Sequence, residues 1–317
     1  MKKLQEEIKK ITSLEVQGAT NVALNAIQLL MDYACRIENQ CKSFDDWKEK
    51  LNEAKSLLFK TRSTEPAMRN GLNYIMKKLE ENKENIEKGK ILELIETFQE
   101  EYKMMIETAR DKIAEIGARR FPENTSDNDF VVMTHCHSSF VDAILLKAKA
   151  QGKNFRVIAT ETQPKLQGRK TVKKLVDAGI EVIHVVDSAM RWAVNHYEVD
   201  LILIGADSVT SEGTVLNKIG SRLLALVAHE EHVPFYVATT LLKYNPETSF
   251  GILEKIEMRD PQEIWKNPPN GVKILNPAFE TVSRRYIDGL ISEAGIFASS
   301  HVHTYFNKFY PEIALNF

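Results

Sequence analysis

From residue 130 onward, short apolar runs alternate with segments of helical length, and this alternation constrains the fold more than any other feature. The runs are Phe130–Met133, Phe155–Ala159, Val182–Val186, Leu201–Ile204 and Phe235–Ala238. Between them lie Phe140–Ala150, Lys170–Ala178, Ala189–His196 and Lys218–His229, read as helices, with Gly179 as a stop. Short runs that are almost wholly apolar, interrupted here only by Arg156 and His184, are the mark of strands buried on both faces. Strands of that kind separated by helices form a parallel sheet with helices on either side. No Gly-x-Gly-x-x-Gly occurs, so the wiring is Rossmann-like without a dinucleotide fingerprint.

Upstream, the pattern is helical. Val22, Ala26, Leu29, Leu30 and Tyr33 recur at helical spacing. A helix runs from Asp45 to Lys60, with Ser43 or Asp45 as its cap. Another opens at Pro66, where a missing N–H costs nothing, and Ile91–Ile116 is one long amphipathic helix. Pro122–Asp129 is polar and turn-rich. The expected architecture is α/β: a helical N-terminal domain over residues 1–121, then a Rossmann-like parallel-sheet domain over 122–317.

Totals exclude several classes. A formal net charge of -2 gives no basic field for nucleic acid. No apolar stretch is long enough to span a bilayer, and Met1–Lys10 lacks the apolar centre of a signal peptide. Cys35, Cys41 and Cys136 are odd in number and unpaired in spacing, which fits a reducing cytoplasm. No zinc-type spacing is present, so neither a metal nor a cofactor is expected.

If the sheet is parallel, polar residues gather along one edge. One strand ends at Thr134-His135-Cys136-His137-Ser138-Ser139, and the next gives Thr160-Glu161-Thr162-Gln163-Pro164 with Gln167 beyond. A third ends at Gly205-Ala206-Asp207, followed by Asn217 and Lys218, and a fourth reaches Lys243. Ligands collect at that edge in open α/β sheets, and a helix N-terminus favours phosphate. A thiol facing a carboxyl group suits proton abstraction beside a carbonyl, as in aldose–ketose isomerisation. No Gly-x-Ser-x-Gly elbow supports a serine hydrolase. In the helical region, Gln17-Gly18-Ala19-Thr20 places small residues before a helix, where a backbone can approach an anion or where Thr20 or Asn21 simply caps. Arg62 sits among hydroxyls in a polar break and suits phosphate.

These motifs, with Asn217-Lys218-Ile219-Gly220 and Asn276-Pro277-Ala278-Phe279, resemble one superfamily. It comprises the regulatory alpha, beta and delta subunits of translation initiation factor 2B, methylthioribose-1-phosphate isomerase and archaeal ribose-1,5-bisphosphate isomerase. The resemblance is nearest to the last. It implies conversion of ribose 1,5-bisphosphate to ribulose 1,5-bisphosphate in AMP salvage, with Cys136 abstracting a proton and Asp207 donating one. It implies substrate contacts from Gln17, Gly18, Ala19, Thr20, Arg62, Ser138, Ser139, Phe140, Asn217, Lys218 and Lys243. A homodimer or homohexamer, and AMP as an activator, are further expectations. A non-catalytic regulatory subunit and methylthioribose-1-phosphate isomerase are the alternatives.

Overall fold

The computed structural model describes Glu6, Ile8 and residues 18–61, 65–85, 91–123 and 130–314. The chain forms two compact units. One comprises Met1–Glu107, Leu242–Tyr244 and Phe306–Phe317; the other comprises Thr108–Leu241 and Asn245–Tyr305.

The first unit is helical. It contains α1 (Ala19–Ile37), α2 (Phe44–Phe59), α3 (Pro66–Glu81) and the first part of α4 (Ile91–Ala118). Ser43 caps α2 by accepting from the Asp46 N–H at 3.2 Å, and Pro66 occupies the first turn of α3. At α1 the cap is Gly18, with no side-chain bond, rather than Thr20 or Asn21. Buried polar contacts tie these helices together. Trp47 Nε1 donates to the Ala34 carbonyl at 3.2 Å, and the Tyr102 hydroxyl donates to that of Ala67 at 2.6 Å. Asn70 Nδ2 donates to the carbonyls of Leu242 and Tyr244, at 2.8 and 2.9 Å, which anchors this short return of the chain in the unit. Phe306 lies 4.9 Å from Tyr244, ring to ring.

The second unit is the expected doubly wound sheet. Its elements are β1 (Val131–Thr134), α5 (Ser139–Ala150), β2 (Arg156–Thr160), α6 (Gly168–Asp177), β3 (Glu181–Val185), α7 (Met190–His196), β4 (Leu201–Ile204), β5 (Ser208–Val209), β6 (Val215–Lys218), α8 (Ser221–Glu230), β7 (Phe235–Ala238), β8 (Phe279–Val282), β9 (Gly289–Ser292), β10 (Gly295–Phe297) and α9 (Val302–Phe309), whose last turn belongs to the first unit. The large sheet has the order β10-β9-β7-β4-β1-β2-β3, parallel except for the β9–β10 hairpin. The strand order reverses direction between β1 and β4, so the crevice of a doubly wound sheet opens beyond their carboxyl ends. The core includes Val132, Val157, Leu203, Phe140, Ile144, Leu175 and Phe121.

A three-stranded antiparallel sheet, β5-β6-β8, is a feature that apolar runs did not announce. It corrects one reading: Lys218 ends a strand, and the helix starts only at Ser221. Gly220, at φ +102°, turns the chain between them.

Two aspartates fix strand register. Asp200, just before β4, donates its N–H to the Val131 carbonyl at 2.9 Å, and its Oδ2 accepts from the Val131 N–H at 2.8 Å. Asp288, just before β9, makes the same reciprocal pair with Phe235, at 2.9 and 2.7 Å. Each aspartate satisfies the first N–H of a buried neighbouring strand, which has no ladder partner of its own. Asp200→Ala is expected to lower stability by about 1–3 kcal/mol, because the Val131 N–H is left unpaired. Asp200→Asn, which keeps an acceptor, should cost less; urea unfolding midpoints of the two variants check this.

Candidate active site

The site is built upward from His135, where β1 stops. Its imidazole is 1% exposed, and both nitrogens are bonded. Nε2 lies 2.7 Å from the Ile219 carbonyl, and Nδ1 lies 2.6 Å from Thr160 Oγ1. A carbonyl only accepts, so Nε2 carries the proton and the threonine hydroxyl donates to Nδ1. Burial pushes the His135 pKa down, against the opposing pull of the Ile219 carbonyl and Asp187, so the ring is neutral at pH 7. The ends of β1 and β2 and the β6–α8 turn are thereby pinned to one side chain. A Cβ on Gly220 would stand 2.7 Å from His135 Nε2, so the turn can come this close only with glycine.

Cys136 follows in the left-handed region, at φ +68°, and is 8% exposed. Its N–H donates to Thr162 Oγ1 at 3.0 Å, and its Sγ lies 3.8 Å from Gln167 Oε1. The loop supplying both partners is held in turn by Asp187, whose carboxylate accepts from the N–H groups of Thr162 and Gln163 at 2.8 and 2.7 Å. Burial pushes the Cys136 thiol up to about 11; Lys218 and the His137 N–H pull it down, while Asp207 and Asp187 push it up.

The carboxyl side is attached to the thiol side by direct packing. Ser138 caps α5, its Oγ accepting from the Val141 N–H at 3.4 Å. A Cβ on Gly205 would fall 2.5 Å from Ser138 Oγ, so Gly205-Ala206-Asp207 can lie against the turn after Cys136 only with glycine there. The Asp207 N–H donates to the Leu216 carbonyl at 2.9 Å, which sets this loop beside β6. Asn217 and Lys218 end that strand, both largely buried. Asn217 Nδ2 donates to Ser221 Oγ at 2.8 Å, and Lys218 Nζ sits 4.8 Å from the centre of the Phe279 ring.

Cys136, Ser138, Asp207, Asn217 and Lys218 therefore gather at the switch point of the sheet. Ser139 is exposed on the first turn of α5; the Phe140 side chain is buried in the core and leaves only backbone for a ligand. Gly18, Ala19, Thr20 and Lys243 belong to the other compact unit. Gln17 and Arg62 lie outside the described residues. Two supporting residues had little sequence signal. Asp187 has no motif, though it follows a strand end like the others. Thr162 was one of several hydroxyls in its loop.

A small pocket opens beside Lys218 and Gln167, with Gln163, Arg259, Glu263 and Asn276 in its wall. Burial alone would raise the Glu263 carboxyl, but bonds from Arg259, at 3.0 Å twice, and Lys165, at 2.8 Å, hold it down at about 2. Among the described residues no group of three or more His, Cys, Asp or Glu is arranged to hold a metal, and no helix is long and apolar enough to cross a membrane.

Three outcomes follow from this geometry. Gly205→Ala should destabilise the protein by about 1–3 kcal/mol through overpacking against Ser138, read as a lower urea midpoint. Alkylation of Cys136 by iodoacetamide, followed by peptide mass spectrometry, should be slow at pH 7 and climb as the pH approaches 11. Lys218→Met should move that climb upward, since the lysine charge favours the thiolate.

The chain is 41% identical to a ribose 1,5-bisphosphate isomerase of Archaeoglobus fulgidus, over 93% of this chain and 90% of that protein. It is 35% identical to a ribose 1,5-bisphosphate isomerase of Methanocaldococcus jannaschii, over 92% of this chain and 91% of that protein. Among solved structures, a translation initiation factor eIF-2B of Pyrococcus horikoshii OT3 superposes with a TM-score of 0.76 at 26% identity, covering 94% of this chain and 98% of that one. Residues 15–299 match one family throughout: the chain belongs to the Initiation factor 2 subunit family.

Proposed function

We propose that this protein is a ribose 1,5-bisphosphate isomerase, with Cys136 and Asp207 as its proton-transfer pair. The observation that carries the reading is the 41% identity to a relative of that name over nearly the whole chain, in a chain that keeps a thiol and a carboxyl group at the sheet switch point. A regulatory subunit has no chemical use for such a pair.

In the proposed reaction, Asp207 gives its proton to the ring oxygen as the C1–O bond of the furanose breaks. Cys136, as thiolate, removes the proton from C2, which leaves an enol phosphate across C1 and C2. The thiol returns that proton to C1, the C2 hydroxyl gives its proton back to Asp207, and ribulose 1,5-bisphosphate results with both groups restored. A thiol with a raised pKa is a strong base once ionised, and Lys218 keeps ionisation within reach. The backbone at Ser139 and Phe140, on the first turn of α5, is suited to one phosphate of the substrate. Gln17 to Thr20, Arg62, Asn217, Lys218 and Lys243 are proposed as the remaining contacts. A homodimer or homohexamer in the cytoplasm, with AMP as an activator and AMP salvage as the setting, completes the proposal.

Purified protein should convert ribose 1,5-bisphosphate to ribulose 1,5-bisphosphate, assayed with and without AMP. Cys136→Ser and Asp207→Asn should each lower kcat by about 10²–10⁴. Because the base form of the thiol is needed, kcat/KM should rise with pH above neutrality. A folded wild-type protein with no turnover in either condition would refute the reading and favour a regulatory, binding role.

A further inference from the structure

Beneath Cys136 lies a buried polar cluster that the proton-transfer pair does not use. Asp142, on α5, is 0% exposed. Its Oδ1 lies 3.3 Å from Thr171 Oγ1, and its Oδ2 lies 3.2 Å from Lys174 Nζ and 3.5 Å from His137 Nδ1. Thr171, on α6, is 1% exposed, and its Oγ1 also lies 3.0 Å from His137 Nδ1 and 3.5 Å from the Cys136 carbonyl oxygen. His137 Nδ1 also faces Asp142 Oδ2, so the tautomer that suits both neighbours carries its proton there; the threonine oxygen then accepts from His137, and its single proton is left for Asp142 Oδ1 or the Cys136 carbonyl. A buried carboxylate is costly and persists only where bonds compensate it. Here one carboxylate oxygen takes Thr171, the residue that faces the Cys136 carbonyl, and the other is compensated by Lys174 and His137.

Two threonines thus grip the cysteine backbone from opposite sides: Thr162 takes the N–H, and Thr171 faces the carbonyl. Between them Cys136 stands at φ +68°, a conformation that costs energy for any residue with a Cβ and that persists only when its surroundings impose it. In that conformation the sulfur faces Gln167 and feels Lys218, Asp207 and Asp187. Released from it, the thiol would take an ordinary extended or helical backbone and leave these neighbours.

We propose that Thr171, oriented by the buried carboxylate of Asp142, is a positioning residue that holds Cys136 in its left-handed conformation and so aims the thiol at the reacting carbon. The proposal rests on Cys136 being the proton-transfer group, and its test separates the two. Thr171→Val removes the hydroxyl at nearly constant volume, Thr171→Ala removes it without adding bulk, and Thr171→Ser keeps it. The readouts are kcat and KM for ribose 1,5-bisphosphate, and site-resolved alkylation of Cys136 by iodoacetamide in the full-length protein.

In the Val and Ala variants, kcat should fall at least tenfold with KM within about twofold of wild type. Cys136 should alkylate at least fivefold faster, because the thiol is no longer held inward. Thr171→Ser should stay within about threefold of wild type on both measures. An unchanged alkylation rate in the folded Val or Ala variant overturns the proposal, whatever happens to turnover. So does a Ser variant that behaves like the Val variant, since the methyl group rather than the hydroxyl would then matter. Absence of turnover in wild type would instead strike at the isomerase reading, and the alkylation comparison would still decide the role of Thr171.

Discussion

The arrangement of the second unit depends on the two hydrogen bonds of one buried imidazole. His135 joins the ends of two adjacent strands to the turn that carries Lys218 and Gly220. Each partner loop is irregular and would have many conformations on its own. A ring that must satisfy both nitrogens inside the protein accepts only one mutual placement of the three. Cys136 inherits its position from that placement, being the next residue. Thr162, Gln167 and Lys218 inherit theirs from the same loops.

Around this centre the fold spends small residues where loops touch and carboxylates where backbone donors would be orphaned. Gly205 and Gly220 give the close approaches. Asp187, Asp200 and Asp288 each accept from main-chain N–H groups at a strand end or loop. These acids occupy positions that resemble catalytic carboxylates in a sequence, and structure alone separates them. Asp207, like Asp187, is half-buried and near the Cys136 thiol, but the main-chain bond it makes, to Leu216, uses its own N–H rather than its carboxylate.

Much of this was readable in the residues. The parallel sheet followed from apolar runs too short and too uniform for helices, and the shared edge followed from the polar residues ending each run. Most helix boundaries fell within a few residues of their expected places, because caps such as Ser43 and Pro66 are local chemistry. The small β5-β6-β8 sheet was unreadable, since strands of two and four residues have no period to detect and Asn217 and Lys218 look like the start of a helix. Asp142 and Thr171 were also invisible as a pair. They are 29 residues apart on two helices, and only packing makes them neighbours. The reading of Thr20 or Asn21 as a cap failed because glycine at position 18 starts the helix without any side-chain bond.

The division of the chain has a practical meaning for anyone who would dissect it. The path passes from one compact unit to the other at Glu107–Thr108, Leu241–Leu242, Tyr244–Asn245 and Tyr305–Phe306. Two of those passages lie inside helices α4 and α9. No single cut in the gene yields either unit whole, and a fragment ending near the polar stretch after residue 121 would lack Asn70's acceptors at Leu242 and Tyr244. Such a fragment would expose a buried amide and the cavity left by Phe306.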